Sequence, residues 1–492
     1  MENKLTNYAS WPNQLILVSH RLLAILALLF IVFYLMQGYY IRPAYDDLYF
    51  ISLVQQNGFW GSMHEMYFHW SGRWTGFAMY FLSLKLANGF NGFHSVAFVY
   101  YVATMAVFVY SIFGIIKPLF IYLKVELDRA LILIYSILFI ACFYFFTFQN
   151  IEVWGWVCGN VFYLQSLALL SAGTALIMKK KRKIIHDFLL SISFVFVGGN
   201  NEIASLITGL LLVAVIVCFG YQSKFKILGF KNSPTFKGLL IALFSLCISS
   251  VISFSAPGNI ERRGEHQTPT HVNQDSSSSI LMTNVILQKK TYVAIGLAAL
   301  FLILGRRLRR ERKIKIDKRI FRKSILIFGV FIFLSLLVLY LFKLLLIDAV
   351  LPLRAYTFTS LILAVFFCLI FLYIGYLIVC NYHVLVIIIE LVLPFAVVVL
   401  LTTHTYKQYG LASNYAKTYD NTINTIKEGV LKERKEVLYL NRISDAGTLL
   451  TIDLRDTNLT MEPLKSILGV KFGIEIIEPQ KSPSNYGRTS HE

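Results

Sequence analysis

The sequence predicts an all-α polytopic membrane protein with about eleven transmembrane helices and a small α/β domain outside the cytoplasm. Three observations lead there. The 492 residues are 57% hydrophobic and 15% charged, with a mean hydropathy of +0.63, whereas soluble chains carry about a quarter charged residues. Apolar runs long enough to cross about 30 Å of hydrocarbon recur along most of the chain. The basic residues behind a net charge of +19 are squeezed into short connections between those runs.

In chain order the long runs are 15–39, 95–116, 130–148, 158–178, 203–221, 238–256, 325–347, 356–379 and 384–402. Two shorter runs, 186–198 and 291–305, need snorkelling flanks or local thinning to span. The first run is too long for a signal-peptide core and no small-residue cleavage site follows it, so it is expected to stay as a span. Six cysteines (Cys142, Cys158, Cys218, Cys247, Cys368, Cys380) lie in or beside apolar runs, form no C-x-x-C pair and read as buried small hydrophobes. Alternating the spans puts the basic connections 117–129, 179–185, 222–237 and 306–323 on one side, together with the N-terminus. The last of these holds eleven lysines and arginines, so the positive-inside rule makes that side the cytoplasm. Parity needs both short spans. Without 186–198 the loops 179–185 and 222–237 would lie on opposite sides, and without 291–305 the eleven-charge loop would lie outside. Such loops face anionic lipid, which makes membrane lipids the expected partner and argues against nucleic acid.

The opposite side collects a different chemistry. It receives "AYDDLYF", "HWSGRW" (69–74), "FQNIEVWGW" (148–156), "GGNNEI" (198–203), "APGNIERR" (256–263) and "LPLR" (351–354). Within 41–94, aromatics and polar groups alternate at helical spacing, too polar to span and too apolar for water, which predicts an interfacial helix. Residues 1–403 therefore form the membrane domain and 404–492 a small outer domain. In the latter, 406–435 reads as a helix, and "EVLYLN", "TLLTIDL" and "KFGIEII" as strands. The polar loop 265–279 and the final "PQKSPSNYGRTSHE" are expected to be disordered. No internal repeat supports an inverted-repeat transporter.

The outer connections carry the residues with chemistry. Asp46 and Asp47 are adjacent carboxylates at the end of a span; partial desolvation suits one of them to act as a general base, and water solvating a helix end is the plainer reading. Arg73, Arg262, Arg263 and Arg354 break the positive-inside trend, and arginine holds phosphate bidentately, although interfacial snorkelling also places arginines there. Glu152, Asn200, Asn201, Glu202 and Asn259 offer hydrogen bonds to sugar hydroxyls. Trp70 and Trp154, with Trp74 and Trp156, offer stacking faces or a membrane aromatic belt. Asp46, Asp47 and Glu152 supply oxygens for Mg²⁺ or Mn²⁺, but no metal-ligand spacing accompanies them, and no cofactor is expected. No phosphate-binding loop, dinucleotide turn, hydrolase triad or zinc motif occurs.

A first span ending in an acidic pair, followed by a long outer loop, resembles the GT-C superfamily of polytopic glycosyltransferases. Within it, the ordered set "AYDDLYF … HWSGRW … APGNIERR" is similar to a bacterial family of membrane proteins related to the O-antigen glucosyltransferases. The resemblance spans roughly residues 30–360 and leaves out the region after 404. It implies a multi-pass protein of the bacterial cytoplasmic membrane with a GT-C-like fold. It also implies transfer of a sugar, with inversion, from a polyprenyl-phosphate donor to a cell-envelope glycan acceptor. Asp46 would be the base and Asp47 its orienting partner. Arg262, Arg263 or Arg354 would stabilise the leaving phosphate. Two other functions compete. A transporter or flippase for a lipid-linked or polyanionic substrate needs polar groups lining a path at mid-membrane. A non-catalytic assembly factor would bind envelope glycans through 404–492.

Overall fold

The computed structural model describes residues 2–122, 128–179, 181–222, 233–265, 353–377, 383–433, 437–441 and 460–477, together with 443, 449 and scattered positions between 298 and 340. Six helices in it are long and apolar enough to cross a membrane: His20–Tyr40, Phe93–Ile121, Arg129–Phe146, Val157–Ile177, Pro234–Phe254 and Arg354–Leu377. Two shorter apolar helices, Ile184–Asn200 and Glu202–Cys218, stand where the runs 186–198 and 203–221 are expected. The chain is a mostly helical membrane protein. The run 291–305 lies largely outside the described residues, as do most of the loop 265–279, the segment "TLLTIDL" apart from Leu449, and residues 478–492; about half of the run 325–347 is described, with helix over 332–340.

In chain order the elements are α1 (Glu2–Tyr40), α2 (Asp46–His69), α3 (Trp74–Leu86), α4 (Phe93–Tyr122), α5 (Arg129–Phe146) and the short α6 (Asn150–Trp154). Then come α7 (Val157–Ile177), α8 (Ile184–Asn200), α9 (Glu202–Gln222), α10 (Pro234–Phe254) and α11 (Gly258–Glu265). The rest are α12 (Thr357–Leu377), α13 (His383–Leu431), β1 (Leu438–Asn441), α14 (Glu462–Leu468) and β2 (Ile474–Ile477). α1 lies along α13 and against α4 and α5, α7 sits between α4 and α8, and α8 packs on α10. The main core is aromatic: the ring of buried Tyr34 meets Tyr101 at 5.1 Å and Trp154 at 5.6 Å.

The connections gather at two ends. At one, buried Arg182 pairs with Asp187 (3.1 Å) and donates to the Pro234 carbonyl, while Lys237 reaches the same Asp187 (2.9 Å). The basic loop 179–185 thus meets the start of α10, where Ser233 caps the helix by accepting from the Phe236 N–H and Pro234 fills its first turn. At the other end the polar motifs meet one another.

Two expectations change. The stretch 41–94 holds two packed helices, α2 and α3, in place of a single interfacial one. α2 itself is interrupted at Gly58, whose φ of 65° a side chain would resist. The boundary at 403/404 falls inside α13, a 49-residue helix that runs from the apolar stretch 384–402 through the helix expected at 406–435. Beyond it, β1 and β2 pair in parallel, Leu438 opposite Ile474, with α14 between them in sequence. Their core contains Tyr415, Tyr419, Ile426, Leu438 and Leu464, and also Leu48 from α2.

Candidate functional site

α1 stops at Tyr40 before Pro43, and Tyr45 turns the chain with a φ of 47°, a conformation that strains any residue except glycine. α2 then begins with Asp46 and Asp47 in its first turn, where the unpaired N–H groups favour negative charge. Neighbours on a helix project about 100° apart. The two carboxylates therefore part company.

Asp47 points into the protein and is fully buried. Its Oδ1 accepts from the Tyr80 hydroxyl (2.5 Å) and the Cys158 N–H (3.2 Å), and its Oδ2 from the Ala44 N–H (3.2 Å). Burial pushes its pKa up to about 7; the Asp46 charge adds to the rise, and the three donors oppose it. Asp47 therefore ties the α1–α2 turn to the start of α7, where it satisfies a helix N-terminal N–H from a distance. Asp46 is half-buried and lines an open pocket of about 380 Å³, with the Cys158 thiol 3.9 Å from its Oδ2.

Arg73 and Arg354 line the same pocket. Glu202 holds Arg73 by its Nε edge (3.0 and 3.3 Å) and also accepts from the Ser71 hydroxyl (3.3 Å). Burial alone would lower the Arg73 pKa, but Glu202 and Tyr163 hold it above the ordinary arginine value. Glu152 holds Arg354 by one Nη (2.6 Å). Each guanidinium also lies over an aromatic face, Arg73 over Phe162 (5.9 Å) and Arg354 over Trp156 (5.8 Å). Tyr163 lines the pocket with them.

α7 makes this possible by a π-turn at Asn160–Leu164, which brings Phe162 and Tyr163 to the pocket. A π-turn disturbs the carbonyl ladder, and such turns collect at functional sites. Asn200 repairs the ladder by donating to the Val161 carbonyl (2.8 Å) and to Ser166 Oγ (2.6 Å). Asn160 pins the turn from behind by donating to the Tyr34 hydroxyl and accepting from Thr104, each at 3.1 Å.

Two sequence motifs interlock to aim Arg73. A Cβ at Gly72 would run into the Ser253 carbonyl, and one at Gly258 into the Trp70 backbone N. Asn259 accepts from the Gly72 N–H (3.2 Å) and donates to the Ser253 carbonyl (2.8 Å). His69 and Glu261 pair across the outside at 2.9 Å.

The pocket thus unites Asp46, Arg73, Arg354 and Trp70, with Glu152 and Glu202 directly behind the arginines. Other sequence expectations need correction. Trp154 is fully buried, bonds Thr147 through its indole N–H (3.0 Å) and has no face to offer a sugar; Trp156 lines the pocket instead. Asn201 caps α9 by accepting from the Ala204 N–H (2.9 Å), and Asn259 is committed to the motif lock. Asp47 reaches neither acceptor nor solvent. Arg262 and Arg263 belong to α11, but their side chains lie outside the described residues. Among the described residues no three His, Cys, Asp or Glu side chains gather in a metal-binding group.

No family model, curated protein or solved structure matches the chain. The pocket sets one carboxylate against two guanidiniums across a small space, an arrangement that can take a proton at one wall and hold an oxyanion at the other.

Tyr80, Cys158, Phe162 and Tyr163 were not among the sequence candidates. A signal for the α7 group exists: "CGNVFYLQ" sets Asn160, Tyr163 and Gln165 inside an apolar run, and polar groups in a span point to function.

Proposed function

We propose that the protein is an integral-membrane inverting glycosyltransferase of the GT-C type. It would move a sugar from a polyprenyl-phosphate donor to a cell-envelope glycan on the outer face of a bacterial cytoplasmic membrane. The observation that carries this reading is the convergence of Asp46, Arg73 and Arg354 on one open pocket in a helical membrane protein.

Asp46 takes the proton of an acceptor hydroxyl. The hydroxyl oxygen attacks the anomeric carbon from the face opposite the phosphate. The new glycosidic bond forms as the bond from carbon to the phosphate oxygen breaks, so the configuration inverts. The electron pair leaves on the lipid phosphate, which needs charge stabilisation more than a proton, and Arg73 and Arg354 supply it. Glu202 and Glu152 keep the guanidiniums charged and aimed while leaving part of each donor edge to the pocket. Trp70, exposed at the pocket, offers a sugar-stacking face, whereas the buried Trp156 ring lies under the Arg354 guanidinium.

The test is release of lipid phosphate from synthetic polyprenyl-phosphate sugars by the purified protein, with envelope glycan as acceptor. Asp46→Asn is expected to slow release by about 10²- to 10⁴-fold, the usual worth of a general base, with folding unchanged. Full activity in that variant removes Asp46 as the base.

A further inference from the structure

We propose that the C-terminal half of α13, with β1, α14 and β2 beyond it, positions the base: Asp420 holds Arg42, and through it the turn that aims Asp46. The inference rests on the glycosyltransferase reading for what Asp46 does. It gives the chain after 404 a part in the reaction itself, in place of a separate glycan-binding role.

The last carbonyls of a helix have no partners within it. Arg42 supplies them at the end of α1, where its Nη1 donates to the carbonyls of Ile41 (3.0 Å) and Tyr39 (3.4 Å). His94 Nδ1, at the start of α4, faces the same nitrogen at 3.3 Å. The other edge of the guanidinium points away from α1. Its Nε and Nη2 donate to the two oxygens of Asp420 on α13, each at 2.8 Å. Such a bidentate pair fixes direction as well as distance. Only Pro43, Ala44 and Tyr45 separate Arg42 from Asp46, and they leave little slack. Pro43 has a fixed φ, the Ala44 N–H is taken by Asp47, and Tyr45 turns at a φ of 47°.

A second grip acts on α2. Positions two apart on a helix point about 200° away from each other. Asp46 and Phe50 line the pocket from one face of α2. Leu48, Ser52 and Gln56 share the opposite face. Leu48 lies in the core formed with Tyr415, Tyr419 and Leu464, while Gln56 and Ser52 reach the Ser466 hydroxyl of α14 at 3.0 and 3.4 Å. One stretch of helix thus carries the pocket on one side and the C-terminal elements on the other. The phosphate wall is held from elsewhere, Arg73 by Glu202 and Arg354 by Glu152. Loss of the Asp420 clamp therefore moves the base and leaves the guanidiniums in place.

The experiment compares the full-length wild type in detergent with Asp420→Ala, Asp46→Asn and the double variant. It reads lipid phosphate release from a synthetic polyprenyl-phosphate sugar, calorimetric binding of farnesyl phosphate, and hydrogen–deuterium exchange by mass spectrometry. Asp420 is half-exposed, so its removal opens no cavity, and thermal unfolding checks each variant. Asp420→Asn, of the same shape, runs beside it and should show the same changes, smaller. Asp420→Ala is expected to slow release at saturating donor by about 10- to 10²-fold, the scale of a displaced base. Farnesyl phosphate should bind within about twofold of the wild type, since its site shares no partner with Asp420. The amides of Asp47, Leu48 and Tyr49, bonded to the Ala44 and Tyr45 carbonyls, should exchange about tenfold faster or more, and those at 74–80 at an unchanged rate. Because Asp420 acts through Asp46, the double variant should be no slower than Asp46→Asn alone. Undiminished release in Asp420→Ala would overturn the positioning role. Losses that multiply in the double variant, or a matching loss of farnesyl phosphate binding, would make Asp420 a general prop and overturn it too. A wild type that releases no lipid phosphate would remove the glycosyltransferase reading alone; exchange at 47–49 then decides the clamp, which faster exchange in Asp420→Ala upholds and unchanged exchange overturns.

Discussion

The two ends of the helix bundle use the same ingredients to opposite effect. At one end Arg182, 3% exposed, is closed in by Asp187, the Pro234 carbonyl and the backbone at Gly238, where even a Cβ would meet its guanidinium. At the other end Arg73 and Arg354 are also each matched to one carboxylate, but their side chains stay 23% and 32% exposed and border an open pocket. A paired arginine is thus a staple when all its edges are covered and a binding group when one edge is left facing space. The ion pair alone does not separate the two cases; the packing around it does.

Three experiments probe this contrast. The largest effect should come from the arginines themselves. Arg73→Met and Arg354→Met are expected to lower phosphate release per folded molecule by about 10²- to 10³-fold, the scale of losing an oxyanion donor. Arg182→Met should leave that rate within about twofold and instead cost about 2–3 kcal/mol of stability. That figure is below the usual cost of breaking a buried pair because Lys237 still reaches Asp187. Equal rate losses at both ends would dissolve the distinction. A smaller effect is expected from Gly72→Ala. The new methyl meets the Ser253 carbonyl and must push the segment holding Arg73, at a cost of about 1–3 kcal/mol and with a loss of rate that Gly410→Ala, in open space, does not share.

The smallest effect concerns Asp47. Its carboxyl titrates near pH 7 in the folded protein against an ordinary 3.8. The folded state therefore keeps a proton that the unfolded state has already lost, so stability falls as pH rises from about 4 and levels off above about 7. Between pH 6 and 8 the fall should be about 1.4 kcal/mol, read from thermal midpoints. Asp47→Asn should lack this slope. It should also run at a reduced rate, because an amide cannot accept from both the Ala44 and the Cys158 N–H groups on separate oxygens.

Much of this architecture was legible in the residues. Apolar runs mark the spans because hydrocarbon demands length and composition together. Alternation through the short run 186–198 already required "GGNNEI" and "HWSGRW" to share an end, and Glu202 and Arg73 meet there at 3.0 Å. The pairing of Arg354 with Glu152 brings "LPLR" to "FQNIEVWGW" in the same way. Other features left no trace. The π-turn shifts the chain by one residue's worth of winding, which hydropathy does not register, so Tyr163 passed as an ordinary residue of a span. Trp154 and Trp156, read alike as stacking faces, part company because the chain between them leaves helix at Gly155, and no period connects their directions. The boundary at 403/404 followed a drop in hydropathy, but a helix continues through a change of solvent as long as its backbone bonds are made.

Time adds a last consequence. Arg42, next to the turn that sets Asp46, is held by Asp420 through two bonds of 2.8 Å, and these partners are 378 residues apart in the chain. Leu48 likewise completes its packing only with Tyr415 and Tyr419. At translation rates of about 5–20 residues per second, the first turn of α2 is made roughly 20–75 seconds before the groups that brace it. The turn that leads into Asp46 is therefore braced late, after the earlier spans have been made and as α13 comes down beside α1.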